Sequence, residues 1–123
     1  MKRIKKWSQQ FARQVYDRLH RWLVPPYGTQ VVEDYLPKQL KNRILYIVQD
    51  DGFLEQAAML CPCGCSRVLH MNLLPDEHPH WRLTQHKDGT ATLYPSVCRK
   101  MDCQSHFWFV RGRVHWSKGK ARV

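Results

Sequence analysis

No stretch of this 123-residue sequence is apolar for long enough to cross a bilayer, because a membrane-spanning helix needs ~20 residues and the run from Ile44 to Val48 ends far sooner. The basic start of the chain also lacks the unbroken apolar segment of a secretory signal peptide, since Ser8, Gln9 and Arg13 interrupt it. We therefore expect a cytoplasmic protein. Repeats of fixed period and low-complexity tracts are absent too, so one folded core is the expectation for this length.

Acidic residues are also scarce. The sequence has 10 Asp and Glu against 20 Lys and Arg, which gives a formal net charge of +10. Such a charge favours anionic partners, whether nucleic acid, anionic lipid or an acidic protein surface, and does not choose among them. The hydrophobic fraction of 43% is sufficient for a globular core.

The first 24 residues have the clearest periodicity in the sequence. Apolar residues recur there at spacings of three and four, which predicts a helix over residues 3–24 that ends before Pro25 and Pro26. The apolar stripe consists of Ile4, Trp7, Phe11, Val15, Leu19, Trp22 and Leu23. Because the other faces are basic, two interpretations stay open: the stripe packs on the domain or on a second copy, or it binds a membrane surface or a partner.

The rest of the chain favours strands. Short runs rich in β-branched and aromatic residues cover residues 43–49, 53–60, 67–73, 81–85, 91–94 and 107–116, with turn signals such as Asp50-Asp51-Gly52 and Asp88-Gly89 between them. Residues 36–40 are expected to form one helical turn. The predicted fold class is mainly β (α+β), a small zinc-stapled antiparallel β domain over residues 31–117. A basic amphipathic helix and linker, residues 1–30, precede it, and a basic tail, residues 118–123, follows.

Five cysteines are present, and three of them lie in Cys61-Pro62-Cys63-Gly64-Cys65. A reducing cytosol disfavours lasting disulfides, and thiolates suit the tetrahedral preference of Zn²⁺. Cys61, Cys63, Cys65 and Cys103 are therefore the predicted ligands of a structural zinc ion. Three ligands from one short segment would be crowded, so one cysteine can be a bystander. In that case His106, three residues after Cys103, is the alternative fourth ligand, and Cys98 is the weakest candidate.

A second group of residues has the composition of a hydrolytic site. Ser96 ends one predicted strand and His106 begins the next, so a hairpin can bring a hydroxyl nucleophile to an imidazole base. Ser105 is a second candidate nucleophile, ranked below Ser96 because neighbours on a strand point to opposite faces. Asp102 and His86 are the candidates for orienting the base. The alternative is that Ser96 stabilises a turn and His106 binds the metal.

Several motifs agree in order and spacing with a known family. They are Cys61-Pro-Cys-Gly-Cys65, Trp81-Arg-Leu-Thr, Asp88-Gly-Thr-Ala-Thr-Leu, Pro95-Ser96 and Cys103-Gln-Ser-His-Phe-Trp108. Over roughly residues 31–116 the chain resembles a small family of bacterial domains encoded beside ubiquitin-like modifiers and their activating-like and conjugating-like enzymes. The sequence departs from that family at Ser66, where relatives often have glycine, and the N-terminal helix lies outside the resemblance.

The resemblance implies a zinc-containing protein of a bacterial ubiquitination-like pathway, a peptidase that matures the modifier or removes it from targets. Its partners would then be the ubiquitin-like modifier and the conjugating machinery. Cys61, Cys63, Cys65 and Cys103 would carry the metal. Ser96, Ser105 and His106 are the positions at which the matching motifs can hold hydrolytic residues, and the family pattern does not decide among them.

The alternative function is a binding module without catalysis. In that case zinc only stabilises the fold, and residues 106–116 present aromatic and arginine side chains to a pathway enzyme or to nucleic acid. Nucleic acid is the less favoured partner, because these aromatic residues are more simply interpreted as core.

Overall fold

The computed structural model describes residues 24–98 and 106–117, together with the isolated positions Ala12, Val15, Leu19 and Leu23. The predicted helix over residues 3–24 lies outside the described residues apart from those positions, and so does the predicted tail; both stay predictions, as do the domain boundaries. Within the described part of the chain, no helix has the length and apolar character needed to cross a membrane.

The described residues form eight strands in two four-stranded sheets. The first sheet has the order β1 (Gly28–Glu33), β2 (Ile44–Asp50), β3 (Phe53–Leu60) and β4 (Val68–Asn72). The second has the order β5 (Arg82–Gln85), β6 (Ala91–Cys98), β7 (His106–Val110) and β8 (Arg113–Trp116). The predicted mainly β class is therefore confirmed.

The two sheets share one core. In β4 and β7, buried side chains alternate with exposed or half-buried ones, as expected for strands that pack one face on a core. The core comprises Leu45, Ile47, Ala57, Met59, Leu69 and Met71 from the first sheet and Ala91, Leu93, Val97, Phe107 and Phe109 from the second. In the second sheet the opposite, outer face is partly exposed, and it carries Ser96, His106 and Trp108.

The central strand β2 is buried on both faces, which explains its nearly continuous apolar sequence. Leu45 and Ile47 point into the core, whereas Tyr46 and Val48 are covered on the other side. The Tyr46 hydroxyl accepts a hydrogen bond of 3.0 Å from the Lys41 backbone N–H. The connection between β1 and β2 is thereby held close to Tyr46.

One pairing differs from the antiparallel prediction: β1 lies parallel to β2, from Gly28 opposite Ile44 to Glu33 opposite Gln49. Parallel neighbours need a crossover connection, and residues 34–43 supply it. The predicted helical turn at residues 36–40 is wrong, since this connection is irregular there.

The segment before β1 is attached to both sheets. The Arg113 guanidinium donates a hydrogen bond of 3.1 Å to the Val24 carbonyl, and the Arg43 guanidinium donates to the Pro25 carbonyl. The Tyr27 N–H donates to the Gly112 carbonyl at 2.7 Å. A Cβ at Gly112 would lie 2.9 Å from both Pro26 Cβ and the Tyr27 carbonyl oxygen, so only glycine fits this contact.

The pairing of β6 with β7 contains a bulge that determines the position of Ser96. Leu93 pairs with Phe109 and Val97 pairs with Phe107, so that Tyr94, Pro95 and Ser96 all stand opposite Trp108. Bulges of this kind bend a strand and redirect its side chains. Leu93 and Val97 still both point into the core. Ser96, which immediately precedes Val97, therefore faces outwards.

Candidate functional site

Ser96 and His106 meet on the outer face of the second sheet. The Ser96 hydroxyl oxygen lies 2.9 Å from His106 Nε2, which is hydrogen-bond distance. The contact follows from the register: His106 pairs directly with Cys98, and Ser96 lies two residues before Cys98, on the same face. The seven residues between Cys98 and His106 lie outside the described part of the chain, and the Ser96 and His106 side chains approach each other because β6 and β7 are paired.

Hydrogen bonds from outside the β6–β7 ladder hold the backbone of both residues. The Trp81 indole N–H donates to the Ser96 carbonyl at 3.2 Å, and the Ser117 N–H donates to the His106 carbonyl at 2.9 Å. Trp81 is itself fixed, because its backbone N–H donates to the Asn72 carbonyl at 2.8 Å and its ring packs against the core. The nucleophile candidate is thereby connected to β4 of the first sheet.

The other imidazole nitrogen, His106 Nδ1, is buried and has no hydrogen-bond partner among the described residues. In the tautomer that carries its proton on Nδ1, Nε2 accepts the proton of the Ser96 hydroxyl, which is the arrangement that a general base requires. His86 is not the orienting group: its Nε2 lies 2.7 Å from Thr92 Oγ1, near the other end of β6. Asp102 and Ser105 lie outside the described residues, so their roles stay predictions.

Three of the four predicted metal ligands lie together. The sulfur atoms of Cys61, Cys63 and Cys65 are all within 4.8 Å of one another, and those of Cys61 and Cys63 are 3.3 Å apart. Cys61 is buried at the end of β3, whereas Cys63 and Cys65 are exposed. This is the one group of three or more metal-binding side chains in the described ranges.

Local backbone geometry produces this cluster. The Cys61 N–H donates to the Arg67 carbonyl at 2.7 Å, which closes the loop, and the Gly64 N–H donates to the Cys61 carbonyl at 3.2 Å. Gly64 has a φ of 92° and Ser66 a φ of 66°, so the chain turns through the left-handed region at both. Glycine is the residue best suited to that region, so Ser66 holds a conformation that a residue with a Cβ rarely adopts.

The cluster fits zinc. With Zn–S bonds of about 2.3 Å, tetrahedral ligands lie about 3.8 Å apart, close to the spacing of these thiols. Thiolate donors also select zinc over hard cations such as Mg²⁺. The fourth predicted ligand, Cys103, lies outside the described residues. Neither His106 nor Cys98 belongs to the cluster. The Nε2 atom of His106 instead faces Ser96.

A serine hydroxyl hydrogen-bonded to an imidazole, on strands that both sheets of a β-sandwich support, is the arrangement with which serine-type hydrolases work. The chain belongs to the family described as bacterial ubiquitination-like system serine protease (BubE), whose model matches residues 32–117. This match confirms the resemblance inferred from the motifs. The chain matches no curated protein and no solved structure.

Two features of the site have no counterpart in the sequence predictions. The hydrogen bond from Trp81 to the Ser96 carbonyl depends on the loop after β4, whose path no periodicity reveals. The exposure of Tyr94 and Trp108 on the outer face was also missed. The exposure of Trp108 could have been predicted from the alternation of β7, because its neighbours Phe107 and Phe109 are both buried and side chains alternate between the two faces of a strand.

Proposed function

We propose that this protein is a serine-type peptidase that cuts a peptide or isopeptide bond after the C-terminal tail of a ubiquitin-like modifier, either to mature the modifier or to remove it from its targets. The contact of 2.9 Å between Ser96 Oγ and His106 Nε2 carries the proposal. The family's description as a serine protease of a bacterial ubiquitination-like system supports it.

The chemistry assigns one role to each residue. As Ser96 Oγ attacks the scissile carbonyl carbon, its proton passes to His106 Nε2, and the tetrahedral intermediate collapses when the imidazolium returns that proton to the leaving amine. Water then attacks the acyl-serine ester and gives its proton to the same nitrogen. The carboxylic acid leaves, and Ser96 recovers its hydroxyl proton. Throughout, the hydrogen bonds from Trp81 and Ser117 hold the backbone carbonyls of Ser96 and His106, respectively.

Zinc has a structural role in the proposal. Cys61, Cys63 and Cys65, with Cys103 as the fourth ligand, would hold Zn²⁺ in the all-thiolate coordination typical of structural sites. Because Cys61 follows β3 and Cys103 precedes β7, the ion would attach the connection between β6 and β7 to the first sheet. His106 is the first residue after that connection. Zinc bound to Cys103 would therefore limit the movement of the catalytic base.

The test is cleavage of the cognate modifier fused to a reporter, compared among the wild type, Ser96→Ala, His106→Ala and Ser105→Ala. Removal of either member of the pair should lower kcat/KM by at least about a thousandfold, because neither works alone. Ser105→Ala tests the second candidate nucleophile, and retained activity in this variant would assign the nucleophile to Ser96. Metal content is measured on every variant. Unchanged cleavage by Ser96→Ala and His106→Ala would refute the assignment, and loss of zinc from His106→Ala would make His106 a ligand.

The charge distribution counts against the alternative of a nucleic-acid-binding module. Residues 24–98 and 106–117 contain eight Lys and Arg and eight Asp and Glu, so the net charge of +10 comes from other parts of the chain. The two arginines of the β7–β8 hairpin are also engaged: Arg111 lies 3.9 Å from Asp88, and Arg113 binds the Val24 carbonyl. Binding of nucleic acid by this domain that weakens steeply with salt would favour the alternative.

A further inference from the structure

Two large aromatic side chains lie exposed beside the Ser96–His106 pair. Tyr94 is 56% exposed and Trp108 is 40% exposed, and their ring centroids are 6.2 Å apart with an interplanar angle of 44°. Tyr94 lies two residues before Ser96, and Trp108 lies two residues after His106, on the outer face that carries the pair. We name Tyr94 and Trp108 the aromatic ledge.

The fold does not account for the ledge. Trp108 stands between Phe107 and Phe109, both fully buried, so the core contribution of β7 comes from its other face. Tyr94 has a neighbour of a different kind: the Arg82 guanidinium lies 5.4 Å from its ring centroid, and Arg82 pairs with Tyr94 across the sheet. A cation over one side of the ring restrains the ring without covering its exposed surface.

We propose that the aromatic ledge binds a large apolar side chain of the polypeptide substrate, located within two residues of the scissile bond. The inference rests on the proposed function, because the position of the substrate follows from Ser96. A polypeptide whose scissile carbonyl reaches Ser96 Oγ crosses the outer face of β6 and β7, where the ledge lies. An extended chain advances about 3.3 Å per residue, so one or two residues separate the scissile bond from the ledge.

Aromatic side chains suit this role. They offer a large apolar contact area and lose little conformational entropy on binding, since each has two side-chain torsions. Exposed aromatic surface next to a nucleophile also distinguishes substrates by the side chain they present, not by charge. The substrate class is therefore an extended, apolar segment, such as a protein tail whose residues next to the scissile bond include leucine, phenylalanine or another large apolar residue.

The experiment uses fusions of the cognate modifier in which leucine or glycine occupies each of the two positions on either side of the scissile bond. Wild type should prefer leucine at one of them. Trp108→Ala and Tyr94→Ala should lower kcat/KM for that leucine substrate by about tenfold to a hundredfold, mainly through KM, and leave the glycine substrate nearly unchanged. Trp116→Ala is the matched control, since Trp116 is 52% exposed but pairs with inward-facing Phe107.

A second readout separates this inference from the proposed function. Diisopropyl fluorophosphate is a small reagent that reacts with an activated serine, so its labelling of Ser96 reports the Ser96–His106 pair without the ledge. Normal labelling of Trp108→Ala and Tyr94→Ala with loss of the leucine preference is the expected result. If both variants are labelled normally but still prefer the leucine substrate, the inference about the ledge is overturned and the proposed function stands. Absence of labelling in wild type overturns the proposed function and the inference with it. A wild-type dimer that Trp108→Ala converts to a monomer would assign the ledge to self-association and overturn the inference.

Discussion

The substitution Trp81→Phe tests whether the position of Ser96 depends on one hydrogen bond. Phenylalanine keeps an aromatic ring packed against the core but removes the indole N–H that donates to the Ser96 carbonyl at 3.2 Å. Loss of one such bond in a partly buried place should lower the free energy of unfolding by about 1 kcal/mol. A domain with an ordinary stability of about 5–15 kcal/mol stays almost completely folded after that loss, so unfolding would not reduce activity measurably.

Loss of the Trp81 hydrogen bond should affect catalysis more than it affects stability. Ser96 belongs to a bulge in which three residues stand opposite one, so its backbone depends on supports from outside the ladder. A displacement of a reacting group by about 1 Å can slow a reaction about a hundredfold. We therefore expect Trp81→Phe to lower kcat by about tenfold to a hundredfold and to leave KM nearly unchanged, because Trp81 packs on the core and does not belong to the outer face.

The assay combines steady-state cleavage of the modifier fusion with urea unfolding of the same preparation. Trp116→Phe serves as the control for replacing a tryptophan, because Trp116 lies at the exposed end of β8. If Trp81→Phe lowers stability while kcat equals that of wild type, the indole is only a structural support and the reasoning about Ser96 is wrong. A rise in KM with kcat intact would also contradict it.

The remaining predictions concern the metal, the packing and one carboxyl group. For the proposed zinc site, Cys63→Ser should lower both the zinc content and the melting temperature, whereas Cys98→Ser, outside the cluster, should leave the zinc content unchanged; equal metal content of the two variants by mass spectrometry would refute the ligand set. Gly112→Ala should cost about 2–5 kcal/mol in urea unfolding, since it combines a left-handed φ with contacts of 2.9 Å. Gly52→Ala, which has a left-handed φ but no neighbour within 4 Å, should cost only about 1–2 kcal/mol, and equal losses would exclude the steric argument. The hydroxyl and N–H of Thr90 bind Asp88 and hold the pKa of its carboxyl below the usual value, so this group stabilises the fold above its unfolded-state pKa and that contribution disappears as pH falls through the folded-state pKa. Thr90→Val should raise the pKa of Asp88 in an NMR titration; an unchanged pKa would contradict the assignment.

Much of the second sheet follows from alternation and turn residues alone. The run of residues 107–116 contains a Gly112 turn between two apolar segments, and it forms β7 and β8 as a hairpin. The Ser96–His106 contact was also within reach of the sequence, because a hairpin that pairs the ends of consecutive strands brings such residues together. The bulge was not, since no pattern in Tyr94-Pro95-Ser96 shows how many residues stand opposite Trp108.

The first sheet was harder to predict at its edge. Strand β1 alternates weakly, with Val31 and Val32 adjacent and polar residues on both sides, so its sequence is typical of a linker. Its parallel pairing with β2 depends on a crossover and on hydrogen bonds made far along the chain, neither of which leaves a local signal. The cysteine cluster, in contrast, was predictable in composition and position because its three thiols come from one five-residue segment.

The bulge in β6 constrains how the length of this segment can change. From Leu93 to Val97 the strand advances four residues while its partner advances two, from Phe109 to Phe107. Because both steps are even numbers of residues, the same side of β6 faces the core before and after the bulge. Insertion or deletion of a single residue among positions 94–96 would turn either Leu93 out of the core or Ser96 away from His106. A change of two residues would preserve both, so length variation in this segment is expected to occur in pairs.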